Sequence, residues 1–403
     1  MPWPYPVPEK GFDFVLLFLR SSDIAIDARL GRYGRALAAG GIGHAALYWN
    51  REGTPPGDRK MREIRYDRAL SYGSRGQTAL RLIGLNLFAL RRIWRLRRRV
   101  RAIHAVDLDT AVVGAIASRI TGIPLIYDIY DHYPDSRGIT GMASRFCDWA
   151  EQLVFRQASL VILADECRIA QHRGVPADRW LIVENVPDTK RRDISCAPAQ
   201  AHSGGRIRIG YLGTLEQKYR GIEDMLALVE EDPCLELEIA GAGTLEGDVR
   251  AAARRCERIR FHGPLEHREG LGMLASCDVV MGLYYAAVPN HRYAAPNKYF
   301  EHLLLGRPML TSRLTPPGEK VRALDTGWAV DDGIAGIRAA LDEAKARPDL
   351  VARKGENAAR QWDDRFSGYF EDVLLEQYVP AVRCLMKRRR AALRGLVAQP
   401  RSS

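Results

Sequence analysis

Short apolar runs alternate with helix-length segments along most of the chain. Phe12–Leu19, His44–Trp49, Glu63–Tyr66, Ala102–Val106, Pro124–Ile129, Leu160–Ala164 and Leu181–Val183 read as strands. Ala28–Gly40, closed by Gly40 and Gly41, and Thr78–Arg99 read as helices. Such alternation predicts a parallel sheet covered on both faces. From Asp188 to Gly205 large apolar residues thin out, and the stretch ends Ser203-Gly204-Gly205, the composition of a linker. A second series follows in Ile207–Leu212, Leu235–Ala240, Ile259–His262, Val279–Leu283, Pro308–Thr311 and Trp328–Val330. The pattern divides the chain into an α/β domain over 1–190, a linker over 191–205 and a second α/β domain over 206–360. A helical tail with a basic end follows over 361–403; its Gln361–Ala381 stretch reads as one helix packing across both domains. Open parallel sheets bind ligands at the C-terminal ends of their strands. Two of them facing each other are expected to hold an active site in the cleft between them.

Composition narrows the function classes. A chain of 403 residues, 46% hydrophobic and 27% charged, has enough material for two cores. Its seven cysteines form no Cys-x-x-Cys pair and are odd in number, which argues against a disulfide framework and a structural zinc site and fits a reducing cytoplasm. The proline-rich Met1–Lys10 stretch lacks the pattern of a secretion leader, and no apolar run reaches the length of a membrane span. The formal net charge of +11 favours anionic partners. Much of the excess falls between Arg81 and Arg101, where Arg91, Arg92, Arg95 and Arg98 interleave with Phe88, Ile93 and Trp94. A helix of this kind can lie on an anionic membrane surface or cover the first sheet. Arginines recurring within an apolar helix, without stacking aromatics among glycines, favour membrane over nucleic acid. The expected location is cytoplasmic, peripheral on the inner face of the plasma membrane.

The densest chemistry lies in Ala295–Pro308. Pro296 suits a first helical position and Gly306 a C-terminal cap, while Phe300, Leu303 and Leu304 have core spacing. Asn297, Lys298 and Glu301 fall within roughly 100° of one another on a helix of 3.6 residues per turn. One face near the helix N-terminus thus presents an amide, a cation and a carboxylate, beside free N–H groups suited to phosphate. Spacing alone leaves an amphipathic helix with a solvated face equally open.

Pro-Asn-Lys-x-x-Glu, four residues and then Gly-x-Pro resembles the nucleotide-sugar helix of family 4 retaining glycosyltransferases, especially those that build bacterial surface polysaccharides. The resemblance extends over nearly the whole chain and implies the GT-B fold: two Rossmann-like, doubly wound α/β domains facing a central cleft. It implies a UDP- or GDP-linked sugar as donor substrate, no required cofactor and no catalytic metal. In that family two glutamates flank seven residues. Glu301 matches the second, which binds the ribose, and Tyr293 stands where the first contacts the donor sugar. Lys298 matches a lysine that binds donor phosphate in related enzymes. Ile209–Leu215 with Arg220-Gly221 resembles the loop opening the second domain, which assigns Gly213 to the donor turn and Arg220 to the diphosphate. Ala240-Gly241-Ala242-Gly243 matches the next glycine turn.

Tyr127–Asp135 resembles a family segment at a strand end, and Asp131 and His132 are its candidates for acceptor activation. Asp131 would be the general base of an inverting reaction; in a retaining one the leaving phosphate takes the proton and Asp131 positions the acceptor. Asp107-Leu108-Asp109 reads as the approach to a helix over Ala111–Ile120, with Asp109 or Thr110 as N-cap, rather than a metal site. The implied activity is transfer of a sugar to a glycan acceptor, polyprenyl-diphosphate-linked, in surface polysaccharide synthesis. A GT-B sugar-nucleotide epimerase, or an inverting enzyme like the exopolysaccharide glucuronosyltransferases, is the alternative.

Overall fold

The computed structural model describes residues 16–24, 27–51, 61–68, 75–172, 174, 177–194 and 206–398. Two compact units emerge, one built from the residues up to Glu184 together with those from Phe370 onward, the other from Asn185–Tyr369. The expected linker 191–205 opens with a 3-10 turn at Arg191–Asp193, and 195–205 lies outside the described residues, as do 12–15 of the first expected strand.

The first unit runs β1 (Leu16–Arg20), α1 (Ala28–Ala39), β2 (His44–Asn50), β3 (Arg62–Asp67), α2 (Arg75–Leu96), β4 (Ala102–Val106), α3 (Leu108–Thr121), β5 (Leu125–Ile129), α4 (Tyr133–Arg137), α5 (Gly141–Gln157), β6 (Ala158–Leu163) and β7 (Trp180–Ile182). Its strands are all parallel, in the order β3-β2-β1-β4-β5-β6-β7. The central strands are buried on both faces, so they read as apolar runs, interrupted by His104 in β4 and Asp128 in β5, rather than as alternating ones. Leu85, Ile93, Val113, Ala117, Val154 and Phe155 bring α2, α3 and α5 onto one face. Tyr33, Leu37, Tyr378 and Val382 bring α1 and the C-terminal residues onto the other.

The second unit runs β8 (Ile207–Leu212), α6 (Ile222–Glu231), β9 (Leu235–Ala240), α7 (Glu246–Arg255), β10 (Ile259–Phe261), α8 (His267–Ala275), β11 (Val279–Gly282), α9 (Asn297–Leu305), β12 (Met309–Ser312), α10 (Pro316–Leu324), β13 (Gly327–Val330), α11 (Ile334–Ala346) and α12 (Pro348–Arg365). Its parallel order is β10-β9-β8-β11-β12-β13. Val229, Leu237, Met281 and Ile337 centre one core; Leu274, Phe300, Leu304 and Trp362 centre the other.

The tail departs from the expected single helix over 361–381. α12 ends at Arg365, a π-helical stretch spans Phe370–Tyr378, and α13 follows at Val379–Ala398. Phe366 is buried with the second unit, whereas Leu374 and Tyr378 are buried with the first. The chain breaks its helix because its apolar residues serve two different cores.

Candidate functional site

Strand order reverses between β8 and β11, the switch point at which open α/β sheets bind ligands. The donor-side residues gather here. Gly213 follows β8 with φ 149°, and a Cβ at this position would stand 2.6 Å from Lys298 Nζ. Glycine therefore makes room for the ammonium, which lies 4.5 Å from the centroid of the Tyr211 ring. Burial draws the Lys298 pKa down to about 8; Glu301 opposes the shift and Arg220 adds to it. Arg220 is half-buried, its guanidinium 4.8 Å over the Tyr284 ring and 2.9 Å from Glu216. Burial works against the Arg220 charge, yet Tyr284 and Glu216 raise its pKa overall.

Glu301 is only 3% exposed. Its Oε1 lies 3.0 Å from Nε2 of His267, the first residue of α8. Its Oε2 is buried without a hydrogen-bond partner among the described residues. A buried carboxylate oxygen left so is costly, and a ligand hydroxyl is the kind of donor that satisfies it. Gly306 caps α9 in the left-handed conformation (φ 63°), as its position indicated. Pro296 stands one place earlier than expected, at the N-cap, so α9 opens at Asn297, which is exposed. The second glycine turn is equally tight: a Cβ at Gly241 (φ 147°) would fall 1.8 Å from the Gly213 carbonyl oxygen.

Gly213, Arg220, Lys298 and Glu301 are thus brought together by the β8 turn, the loop before α6 and α9. Tyr211, Tyr284, Glu216 and His267 complete the cluster. Tyr211 adjoins the glycine turn in sequence; the other three carry no local signal of their role. Two cations beside a helix N-terminus, with an unsatisfied carboxylate one turn along, can hold an anion and a hydroxyl group together.

The first sheet reverses between β1 and β4. Asp107 takes the N-cap position of α3 at φ 59°, but its side chain makes no cap bond. Instead Oδ1 accepts from the Tyr130 amide at 3.0 Å and Oδ2 pairs with Arg20 at 2.7 Å. The helix therefore starts earlier than the expected Asp109 or Thr110 cap, and the Asp107 side chain clamps two strand ends. Burial pushes the Asp107 pKa up to about 6; Arg20 pulls against this and Asp109 and Asp131 add to it. Asp131 follows β5 and pairs with the buried Arg168 at 2.9 Å. His132 stands between Asp135 (Nδ1, 2.8 Å) and Asp148 of α5 (Nε2, 3.3 Å). Beneath them Asp128 accepts from Arg29 at 2.9 Å, and His104 bridges Asp128 (3.4 Å) and the Tyr378 hydroxyl (2.9 Å). Burial alone would raise the Asp128 pKa, but Arg29 and His104 hold it at about 2. No group of side chains suited to a metal ion occurs among the described residues.

Solved structures share this architecture. HepE of Anabaena, in complex with UDP, is 17% identical, with 95% of this chain and 100% of that chain covered at a TM-score of 0.63. Sucrose-phosphate synthase from Thermosynechococcus elongatus is 15% identical over 94% of this chain and 99% of that chain, at a TM-score of 0.69. The lipopolysaccharide outer core galactosyltransferase WaaB is 10% identical over 92% and 99%, at a TM-score of 0.62. No curated protein matches the sequence. Two doubly wound parallel sheets with this order define the GT-B fold, and the protein is an enzyme of the glycosyltransferase class. Within that class, residues 25–185 match the glycosyl transferase 4-like domain family.

Proposed function

We propose that the protein transfers a sugar, with retention of configuration, from a UDP- or GDP-linked donor to a glycan acceptor carried on a polyprenyl diphosphate. The observation that carries the donor assignment is the orphaned Oε2 of Glu301, one helical turn from the Lys298 ammonium. In this reading Glu301 accepts from the ribose hydroxyls, while Lys298 and Arg220 neutralise the diphosphate. The neighbour HepE binds UDP, which supports a nucleotide donor. Asn297 and the first N–H groups of α9 add donors at the same helix end.

On the acceptor side Asp131 holds a hydroxyl in place, and His132 orients the loop. An oxygen already engaged by the buried Arg168 supports this positioning role. The bond from the anomeric carbon to the diphosphate oxygen breaks as the acceptor oxygen bonds to that carbon from the same face. The acceptor proton passes to the leaving phosphate. Lys298 and Arg220 stabilise the charge that develops there, in place of a metal ion. The acceptor is met at the inner face of the plasma membrane, with the α2 arginines on anionic head groups; no helix among the described residues is long and apolar enough to cross a membrane. The product extends a cell-surface polysaccharide or glycoconjugate.

Donor screening tests the reading: UDP- and GDP-sugars are offered side by side, with release of nucleoside diphosphate as readout. One nucleotide class should be hydrolysed slowly alone and faster with acceptor. Equal indifference to every donor, with no nucleotide binding in calorimetry, overturns it. Donor conversion to an epimer without glycan growth would establish an epimerase instead.

A further inference from the structure

Helices α2, α3 and α5 form one layer on the first sheet, with α2 packed on α3 and α3 on α5. A helix that buries one apolar face ordinarily turns a polar face to solvent. These three turn a second apolar stripe outward. On α5, Met142, Phe146, Trp149 and Leu153 follow one another at spacings of four, three and four, which is a single line along the helix. Met142 is 87% exposed and Phe146 65%. The opposite side of the same helix carries the buried Glu151, Val154 and Phe155. On α3 the exposed line is Val112, Ile116 and Ile120; on α2 it is Leu80, Ile83 and Leu87, with Trp94 two turns further. Eleven of the fifteen exposed large apolar side chains among the described residues lie on these helices. Concentration of that kind marks an interaction surface.

Charge identifies the occupant. Arg81, Arg91, Arg92 and Arg95 of α2, Arg119 of α3, and Arg145 and Arg156 of α5 are exposed. Asp148 is the one exposed carboxylate among the described residues of the three helices. Arginines beside apolar stripes match phosphate head groups above acyl chains. Nucleic acid would use the arginines and leave the stripes in water.

We propose that the combined outer face of α2, α3 and α5 docks on an anionic phospholipid bilayer, the stripes entering the interface and the arginines meeting the phosphates. This rests on the lipid-linked acceptor reading and extends its contact from the α2 arginines to a three-helix face. The same face is tied to the acceptor segment, because Asp148 of α5 lies 3.3 Å from His132 Nε2. Docking through α5 therefore holds Asp131 and His132 at a set height above the lipid surface.

The test is co-sedimentation of the full chain with vesicles of phosphatidylcholine alone or with about one third phosphatidylglycerol. Two variants are compared with the wild type: Phe146→Gln with Trp149→Gln on α5, and Arg91→Gln, Arg92→Gln and Arg95→Gln on α2. Both alter exposed positions, and circular dichroism melts check that each folds. Wild type should bind the anionic vesicles and bind neutral ones weakly. The α5 variant should lose about tenfold or more in partition, while hydrolysing a donor sugar as wild type does. If the α5 variant binds as wild type and the arginine variant is released, the three-helix face is wrong and the α2 contact stands. If neither is released, both fall. If light scattering shows the face holding a second copy, lost on the α5 change, the surface is a dimer interface and the proposal fails. Loss of donor turnover in all three proteins would count against the enzyme reading and leave the partition result intact.

Discussion

His267 Nε2 lies 3.0 Å from Glu301 Oε1, and this contact decides which oxygen of the carboxylate is left for a ligand. The imidazole comes from α8 and the carboxylate from α9, so packing of the two helices sets the geometry. Glu301→Ala should weaken both donor and free nucleotide by ten- to a hundredfold, since lost hydrogen bonds to a charged group cost ~1.5–3 kcal/mol. His267→Ala should weaken them less and leave kcat nearly unchanged, because it releases the orientation of Glu301 without removing the acceptor. Calorimetry with UDP and GDP measures both, and unchanged affinity in Glu301→Ala would refute the ribose role.

Lys298 must carry its charge to neutralise a diphosphate, and its pKa is drawn down to about 8 by burial. The charged fraction falls as pH rises through that value, so kcat/KM for the donor should decline on the alkaline side near pH 8. Lys298→Met should lack this limb. Stability runs the other way. A lysine whose folded pKa lies below its ordinary 10.5 penalises the fold in full below pH 8, and the penalty is relieved as pH climbs toward 10.5. Lys298→Met should therefore melt higher than wild type at pH 7, with the gap closing by pH 10. A melting temperature unchanged at pH 7 would show that the ammonium is well solvated.

Arg220 and Lys298 reach the switch point from different segments and should share one anion. Replacing either with Met should lower kcat more than it raises the donor KM, by ~2.7–4 kcal/mol, about a hundred- to a thousandfold. The double variant should fall short of the sum, because each cation acts on the same diphosphate. Steady-state kinetics on the three variants decides this. Rescue by magnesium or manganese would assign the charge to a metal instead.

The buried Asp128 pairs with Arg29 and His104 and is held at a pKa of about 2. A depressed carboxylate pKa means stability that is present above the unfolded value near 4 and is lost as pH falls from there toward 2. Asp128→Asn should cost ~3–5 kcal/mol at pH 7, since the buried Arg29 would lose this carboxylate. Urea unfolding at pH 7 and at pH 3 should show the gap narrowing on acidification. Equal stability at pH 7 would mean that water already compensates the guanidinium.

Most strands are legible in the sequence because both sheet faces are covered, which makes the buried strands largely apolar runs. Two expected strands began one residue early, at Pro124 and Pro308. In the structure β5 starts at Leu125 and β12 at Met309, because proline has no N–H for the ladder. Spacing likewise put Lys298 and Glu301 on one helix face, since positions three apart are neighbours on any helix. Asp107 takes the N-cap position of α3, ahead of the expected Asp109 or Thr110, and its side chain makes no cap bond. Its actual partners, Arg20 and the Tyr130 amide, lie 87 and 23 residues away, where no local pattern reaches.

What the sequence determined by itself is local: alternation of elements, the glycine turns, and the amide, cation and carboxylate order along α9. Hydrophobic period and backbone sterics act over a few residues, and so they can be read from a few residues. Tertiary structure decided the rest. Only the strand order β10-β9-β8-β11 brings the turn at Gly213 beneath Lys298, a residue 85 positions later in the chain. Only the packing of α8 on α9 leaves one oxygen of Glu301 unsatisfied. The C-terminal residues join the first core rather than the second because burial depends on which surface lies within reach, and helical periodicity is the same for either.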